Sequence, residues 1–365
     1  MNEYVINTGD LRHNIELIKQ KAGNEVIGVL KADGYGLGRD FLAKILKEEG
    51  INSFAVADVE DIEPLRENVL DENDSLLVMR STSLESEAEI IAKNNCIATV
   101  GSVSSAEVLN NAAKKIGKVV KANIKIDTGL SRFGFLPEQT DTIEKVYREY
   151  ENLEFVGIYT HFSSAFTNEE LTKKQLSRFL YTVEQLKNRG IDVGKVYAAS
   201  SPALLNVEGT TLDAVRIGSA FTGRVITKSN LGLKRIGVLK SQVIEVKDIK
   251  KGASVGYSGD FTAKRNTALA IVPVGHTDGL GFEKTQEING ISQLIRRMLS
   301  PLKRFLKKEC LTVKINGKTA KIVGAVGLTN CTVDVTGMYV KAGDTVEIDL
   351  SPVAVSPAVK RIYEE

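Results

Sequence analysis

Residues 26–38 read VIGVLKADGYGLG, an apolar run that ends in a lysine and a glycine-rich segment. Such a run is typical of a strand that is buried on both faces of a parallel sheet. The dinucleotide-binding form of a doubly wound sheet would place a G-x-G-x-x-G loop directly after its first strand. Gly34, Gly36 and Gly38 do not have that spacing. This segment therefore argues against a dinucleotide-binding fold.

Seven more apolar runs follow, each separated from the next by a segment with helical spacing or helix-start signals. The eight runs are 26–30, 53–57, 76–79, 97–100, 119–126, 155–159, 196–198 and 214–217. Parallel strands need crossover connections, which the intervening helices supply. Eight such units in series predict a TIM (β/α)8 barrel over residues 1–225.

The pattern changes after about residue 225 to strand-like runs joined by short turns. These runs are 239–246, 268–272, 311–315, 320–323, 332–335 and 345–348. Asn316-Gly317 between two of them is a strong signal for a two-residue hairpin. We therefore predict that residues 226–365 form a C-terminal antiparallel β domain.

Residues 291–309 interrupt this β pattern. Apolar residues at helical spacing are interspersed with six lysines and arginines, which predicts an inserted basic amphipathic helix. The simplest interpretation is a surface helix that packs its apolar stripe on its own protein. Binding to an anionic membrane surface or to an acidic partner is the alternative.

The composition gives no sign of a nucleic-acid partner, because 48 Lys and Arg face 46 Asp and Glu and leave a formal net charge of only +2. Cys96, Cys310 and Cys331 lie far apart without a neighbouring Cys or His at metal-ligand spacing. We therefore expect neither a disulfide framework nor a metal site. The chain also shows no signal-peptide pattern and no stretch approaching ~18 uninterrupted apolar residues, which predicts a cytoplasmic protein without a transmembrane segment.

Polar residues capable of chemistry lie at the C-terminal ends of the predicted strands or just after them, at the end of a TIM barrel where active sites lie. They are Lys31, Lys125, Asp127, Thr128, Arg132, His161, Ser200, Ser201, Arg216 and Gly218. A buried lysine with a lowered pKa can form a Schiff base with an aldehyde cofactor, because only the neutral amine is nucleophilic. An ordinary salt bridge is the alternative for Lys31. Ser201 and Gly218-Ser219 follow strands seven and eight, where TIM barrels often bind phosphate.

Five segments in this order resemble those of alanine racemases, the fold type III pyridoxal phosphate enzymes. They are VLKADGYG (29–36), KIDTGLSRFG (125–134), THF (160–162), VRIG (215–218) and VGYSG (255–259). Each motif is short, but their joint order and spacing make the resemblance specific. It extends from the start of the barrel to Arg361.

The resemblance implies pyridoxal 5'-phosphate as cofactor and a two-base racemisation of an amino acid. Lys31 matches the lysine that binds the cofactor as a Schiff base and acts as one acid–base group. Tyr257 matches the second base, which reaches the cofactor of the opposite subunit, so a homodimer is implied. Arg216 matches the arginine on the pyridine nitrogen, and His161 the histidine behind it. The phosphate-binding positions are matched by Tyr35, Ser201, Gly218 and Ser219.

The substrate side of the site resembles the family less closely. Arg132 matches the arginine near the substrate carboxylate, and Lys125 a lysine that is carbamylated in some members. Leu328-Thr329 replaces a methionine-aspartate pair whose backbone faces that carboxylate. His276 and Pro357 each stand where the family has a tyrosine. We therefore expect alanine as the default substrate, with serine or a larger amino acid such as ornithine or lysine as the alternative.

Two other functions remain to be weighed. A fold type III decarboxylase of basic amino acids is disfavoured, because its Gly-Gly-Gly phosphate loop and Cys-Glu-Ser-Gly motif are both missing. A catalytically silent paralogue that binds pyridoxal phosphate is the second alternative, since Leu328 and Pro357 change the substrate channel. Single residues also have non-functional interpretations. Tyr257 would then be a packing residue of the β domain, and His161 would be a structural histidine.

Overall fold

The computed structural model describes residues 2–227, 231–256, 259–281 and 311–365. Tyr257 and the predicted helix over 291–309 lie outside these described residues. The chain divides into two compact units. One comprises residues 8–236, and the other joins the residues up to Asn7 with residues 237–365. The opening strand β1 (Glu3–Asn7) therefore belongs to the second unit.

The first unit is built on eight parallel strands, in the spatial order β4-β3-β2-β9-β8-β7-β6-β5. Their bounds are β2 (Glu25–Val29), β3 (Ser53–Val56), β4 (Ser75–Val78), β5 (Ala98–Val100), β6 (Val120–Lys125), β7 (Leu153–Tyr159), β8 (Lys195–Ser200) and β9 (Ala214–Ile217). A parallel bridge between Leu77 and Ile97 links the neighbourhoods of β4 and β5, so that the barrel is nearly closed. The predicted TIM-like fold is confirmed.

Helices follow most strands and cover the barrel. They are α1 (Thr8–Ala22), α2 (Arg39–Glu48), α3 (Ile62–Asn68), α4 (Glu85–Lys93), α5 (Val103–Lys115), α6 (Thr140–Glu149), α7 (Glu169–Asn188) and α8 (Ser201–Asn206). Two of them begin at side-chain caps. The Ser102 hydroxyl accepts the Ser105 N–H at 3.1 Å, and the Asn168 side chain accepts the Leu171 N–H at 2.9 Å. Such caps satisfy backbone donors that a helix start leaves unpaired.

The barrel strands also bury polar groups. Inward-facing residues form an apolar cluster of Ile27, Val29, Ala55, Leu77, Tyr159, Tyr197 and Ala214. Thr99, Asn123, Lys125 and Arg216 are buried as well. Burying a cation is costly unless its surroundings stabilise it. Lys125 and Arg216 therefore mark the part of the barrel to examine for function.

The second unit contains a sheet of nine strands among the described residues, in the order β11-β14-β17-β16-β15-β18-β10-β1-β19. Besides β1, its strands are β10 (Val238–Gln242), β11 (Glu245–Ile249), β14 (Thr267–Val272), β15 (Thr312–Ile315), β16 (Lys318–Ile322), β17 (Cys331–Asp334), β18 (Thr345–Ile348) and β19 (Lys360–Glu364), while β12 (Ser254–Val255) and β13 (Phe261–Thr262) form a separate pair. The predicted hairpin at Asn316-Gly317 joins β15 and β16, with φ of 49° and 76° at its two turn residues.

The first strand is a finding that the sequence did not predict. β1 pairs antiparallel with β10 and parallel with β19, so that the sheet is not purely antiparallel. The predicted run 239–246 is likewise two strands, β10 and β11, which lie at different places in the sheet. Tyr4 of β1 is fully buried, and its hydroxyl donates to the Leu350 carbonyl at 2.8 Å. These pairings join distant parts of the sequence, which local patterns do not reveal.

Candidate active site

The segment after β2 makes a left-handed turn that begins directly after Lys31. The residues with positive φ are Ala32 (54°), Asp33 (51°), Gly34 (60°), Tyr35 (56°) and Gly36 (80°). Left-handed backbone costs about 1–2 kcal/mol per residue that carries a Cβ. The turn is held by the Gly34 N–H, which donates to the Leu30 carbonyl at 2.8 Å, and by the Asp33 carboxylate, which accepts the Arg39 N–H at 2.8 Å. It fixes the backbone of both Lys31 and Tyr35.

We expect Ala32→Gly to stabilise the protein by about 1 kcal/mol, because glycine adopts positive φ without a steric penalty. The Ala32 side chain is exposed, so that its removal leaves no cavity. Urea or thermal unfolding measures the change. Ala43→Gly, within the right-handed helix α2, is the control and should destabilise. A lower unfolding midpoint for Ala32→Gly would contradict the left-handed turn.

Lys31 lies partly buried at the end of β2. In the part of the chain that the structure describes, its amine forms no salt bridge, and its Nζ lies 5.9 Å from the Tyr35 ring centroid. Burial lowers the pKa of Lys31, and the charges of Arg132 and Arg216 lower it further, against a weaker opposing effect of Asp58. A larger fraction of the amine is therefore neutral and nucleophilic.

Arg216 of β9 is buried with one edge of its guanidinium unsatisfied. Its Nη2 donates to the Thr160 carbonyl at 2.7 Å and to the Ala198 carbonyl at 3.3 Å. Its Nη1 has no hydrogen-bond partner among the described residues. Buried polar atoms are almost always paired in folded proteins. The orphaned Nη1 therefore indicates a place for an acceptor that the chain itself does not provide.

Polar groups after β8 and β9 form a cradle with Tyr35. The Ser201 hydroxyl oxygen accepts the N–H groups of Gly218 and Ala220, each at 3.2 Å, which leaves its own hydrogen free to donate. A Cβ added at Gly218 would lie 2.1 Å from the Tyr35 ring. Burial raises the pKa of Tyr35 to about 12, although a hydrogen bond from the Ser219 backbone opposes it. The phenol therefore stays protonated.

Arg132 lies on a loop that is folded around one carboxylate. Asp127 accepts four consecutive backbone N–H groups, from residues 129, 130, 131 and 132, at 2.8–3.2 Å. Burial disfavours the charged carboxylate, but these hydrogen bonds outweigh it and lower the pKa of Asp127. The loop presents the Arg132 side chain to solvent at the end of β6. Asp127 thus fixes the backbone from which Arg132 extends.

Lys125 and His161 complete a group of cationic or potentially cationic side chains. Burial, with the charges of Arg216 and Arg132, lowers the pKa of Lys125 to about 7. Burial, with the charges of Arg216 and Lys125, lowers the pKa of His161 to about 3. His161 is therefore neutral near pH 7. The Lys125 Nζ lies 5.3 Å from the Tyr159 ring centroid and 5.3 Å from that of Phe133.

The structure places most of the predicted site residues in the first unit, at the C-terminal ends of its strands. These are Lys31, Tyr35, Arg132, His161, Ser201, Arg216, Gly218 and Ser219. Leu328 lies in the second unit with an exposed side chain, and its carbonyl accepts both the N–H and the hydroxyl of Thr277, at 3.0 and 2.9 Å. Among the described residues, no cluster of His, Cys, Asp or Glu is suited to hold a metal ion. The described helices also include none long and apolar enough to cross a membrane.

Two family models match this chain. Alanine racemase, N-terminal domain, matches residues 6–226, and Alanine racemase, C-terminal domain, matches residues 236–353. The chain belongs to the alanine racemase family. The resemblance and the enzyme class predicted from the sequence are thereby confirmed.

Two curated members of the alanine racemase family illustrate the similarity in sequence. The alanine racemase of Clostridium tetani is 31% identical over 350 residues, which cover 93% of this chain and 84% of the relative. That of Methanococcus maripaludis is 31% identical over 353 residues, covering 94% and 87%. The match therefore spans nearly the full length on both sides.

Solved structures of the family share the fold. The alanine racemase of Clostridium difficile 630 superposes with a TM-score of 0.84 at 26% identity, covering all of this chain and 96% of the other. The alanine racemase of Bartonella henselae, solved with covalently bound pyridoxal phosphate, has a TM-score of 0.82 at 24% identity and covers 100% and 99%. At 24% identity, the similarity to the Bartonella henselae structure is evidence for a shared fold alone.

Sequence reasoning did not single out two tyrosines of the barrel interior. Tyr159 and Tyr197 stack with ring centroids 5.2 Å apart and an interplanar angle of 3°. Both lie within predicted strands, in the runs 155–159 and 196–198. The available signal was that a tyrosine in a buried strand needs a partner for its hydroxyl.

Proposed function

We propose that this chain is a pyridoxal phosphate-dependent amino-acid racemase with alanine as its default substrate. The observation that carries the proposal is the barrel mouth. It combines the amine of Lys31 and the guanidinium edge of Arg216, neither of which has a polar partner among the described residues, with the polar cradle at Tyr35 and Ser201. Family membership supports the same chemistry.

The residues present fit the cofactor. The amine of Lys31 would hold its aldehyde. The unsatisfied Nη1 of Arg216 would face its ring nitrogen, with neutral His161 nearby. Hydroxyl and backbone groups would hold its phosphate, contributed by Tyr35, Ser201, Gly218 and Ser219. When bound, the cofactor supplies an electron sink for the charge left by removal of the α-proton.

Racemisation needs one group that removes the α-proton on one face and another that returns a proton on the other. We assign the first role to the Lys31 Nζ, whose pKa is lowered by burial and by the charges of Arg132 and Arg216, so that a larger fraction of the amine can accept a proton. Tyr257, which lies outside the described residues, is assigned the opposite face from its motif alone. Arg216 stays protonated and so disfavours a proton on the ring nitrogen.

The substrate carboxylate is assigned to Arg132. Leu328 is assigned to the substrate from its motif position alone. Arg132 extends from the loop that Asp127 holds rigid. The Leu328 carbonyl is tied to Thr277, which fixes the backbone there. The changed residues Leu328, His276 and Pro357 keep serine, ornithine and lysine as alternative substrates.

Exchange in deuterated water tests the proposal. The holoenzyme is incubated with each L-amino acid in turn, and loss of the α-proton is followed by NMR together with formation of the D-enantiomer. Exchange with alanine alone supports the default, whereas exchange with serine, ornithine or lysine names a different substrate. Binding of pyridoxal phosphate without exchange of any amino acid would overturn the racemase and identify a silent paralogue.

We expect Gly218→Ala to weaken the binding of pyridoxal phosphate by tenfold or more. The added Cβ would lie 2.1 Å from one Tyr35 ring carbon and 2.6 Å from the phenol oxygen, so that the phenol must leave the cradle. Titration of the apoenzyme with the cofactor, followed by absorbance, measures the affinity. Gly23→Ala, where a Cβ meets nothing within 4 Å, is the control and should bind the cofactor normally. Equal affinities of Gly218→Ala and wild type would contradict the assigned cradle.

We further propose a cytoplasmic homodimer in which Tyr257 completes the partner's site. Cys96 and Cys331 are buried free thiols, as expected in a reducing compartment. Mixing Lys31→Ala with Tyr257→Phe after partial dissociation tests the shared site, because a mixed dimer carries one intact pair. Activity that stays absent in mixed dimers would place both residues in the same subunit's site.

A further inference from the structure

Arg216 is a buried cation without a counter-ion in the part of the chain described here. Its side chain is 3% exposed, and it forms no salt bridge with a described carboxylate. Its hydrogen bonds go to the neutral carbonyls of Thr160 and Ala198. An unpaired charge taken out of water is strongly destabilising unless something replaces the solvent. Other groups must therefore stabilise this guanidinium.

Those groups are the aromatic rings of two tyrosines. The Arg216 Cζ lies 4.6 Å from the ring centroid of Tyr159 and 5.1 Å from that of Tyr197. A guanidinium within about 6 Å of an aromatic face is attracted by the ring quadrupole, most strongly when both groups are desolvated. The two rings are nearly parallel and fully buried. The guanidinium lies beside this stacked pair, close to both rings.

Hydrogen bonds at their hydroxyl groups hold the two tyrosines in place. The Tyr159 hydroxyl is bonded to the Thr99 hydroxyl at 2.8 Å and donates to the Met79 carbonyl at 3.1 Å. The Tyr197 hydroxyl accepts a hydrogen bond from the Asn123 amide at 2.5 Å. Each ring is thus held in place by its own hydroxyl group.

These rings stabilise the arginine without neutralising it. Burial raises the pKa of both phenols, so that neither forms a phenolate. A carboxylate in their place would cancel most of the positive field of Arg216. This field acts on neighbouring side chains. Burial is the largest cause of the lowered pKa of Lys125 and of His161, and the charge of Arg216 is the second largest for both.

We propose that the stacked pair Tyr159 and Tyr197 is a positioning platform that replaces a counter-ion for Arg216, keeping the guanidinium charged with its free Nη1 aimed at the cofactor ring nitrogen. The proposal deepens the proposed function and rests on it only for the identity of the acceptor. The tyrosines act through Arg216 and are not assigned any contact with cofactor or substrate. Their removal should therefore change how firmly Arg216 is held.

The first test uses Tyr197→Leu and Tyr197→Phe in the full chain. Tyr197→Leu removes one aromatic face and should weaken pyridoxal phosphate binding about tenfold. It should also shift the pH titration of the bound cofactor's visible absorbance. Tyr197→Phe keeps the face and should remain within about threefold of wild type. Phe54→Leu, a buried ring away from Arg216, controls for cavity formation and should leave affinity and titration unchanged.

The second test needs no cofactor and separates this proposal from the proposed function. This test is a double-mutant cycle on the apoprotein, with Tyr197→Leu made in wild type and in the Arg216→Met variant. The change that Tyr197→Leu causes in the unfolding equilibrium constant should be about tenfold smaller in the Arg216→Met background. Additive effects would overturn the platform even in a chain that binds the cofactor and racemises alanine. Coupling in a chain that fails to bind the cofactor would instead overturn the proposed function and leave the tyrosine–arginine interaction in place. Equal losses of affinity for Tyr197→Leu and Tyr197→Phe would assign the effect to the hydroxyl and overturn the platform as well.

Discussion

Replacing Lys31 by alanine removes racemase activity by a factor of about 10³ or more, since the change takes away both the cofactor-binding amine and one acid–base group. The physical reason is the state of the amine. It lacks a salt bridge in the described structure, and burial with the charges of Arg132 and Arg216 lowers its pKa. The variant should also lose the visible absorbance that wild type gains with pyridoxal phosphate.

A covalent readout makes this prediction independent of turnover. Borohydride reduction of the holoenzyme should fix the cofactor on the peptide that contains Lys31, as detected by mass spectrometry. Lys44→Ala is the matched control, because Lys44 is an exposed lysine on α2 with no ion pair among the described contacts. It should retain activity and labelling. Labelling of another lysine in wild type would remove Lys31 from its assigned role.

Lys125→Met should stabilise the protein by about 4 kcal/mol near pH 7. The pKa of Lys125 is about 7 in the folded state, against an ordinary value of 10.5. Between these pH values the unfolded chain binds more protons than the folded one, so that stability of the wild type rises with pH. The destabilisation of the folded state by Lys125 is complete below pH 7 and vanishes above pH 10.5. The advantage of methionine should therefore shrink by about 1.4 kcal/mol per pH unit across this window.

Denaturant unfolding at several pH values measures this effect. Lys121→Met is the matched control, because Lys121 lies exposed on the same strand, β6. It should change the free energy of unfolding by less than about 0.5 kcal/mol. If Lys125→Met destabilises the protein at pH 7, the amine carries an anionic group in the native state. A carbamate on the Lys125 amine would have that sign.

The sequence was sufficient to predict the barrel because its signal is local. Continuous apolar runs such as 26–30 mark strands buried on both faces, and the residues after them fall at one end of a parallel barrel. That is why Lys31, Ser201 and Arg216 could be placed near one another without coordinates. Their roles came from motif order, since no pattern of hydrophobicity distinguishes a cofactor lysine from a salt-bridged one.

Features that depend on tertiary contacts were missed. The left-handed backbone at Ala32 and Asp33 runs against their intrinsic preference and is imposed by the turn's hydrogen bonds. The tyrosine pair arises from register, because Tyr159 and Tyr197 are directly paired across β7 and β8. A single sequence records that both are apolar strand residues, but not that they meet beneath an arginine.

The parallel pairing of β1 with β19 has a consequence for synthesis on the ribosome. Residues 8–236 contain every strand of the barrel, so that this unit has all its partners while the remaining chain is still being translated. β1 precedes every barrel strand in the sequence, but it pairs with β10 and β19, which follow all of them. During synthesis β1 therefore stays without these two partner strands until the barrel sequence has been translated, which leaves its backbone groups available for other pairings.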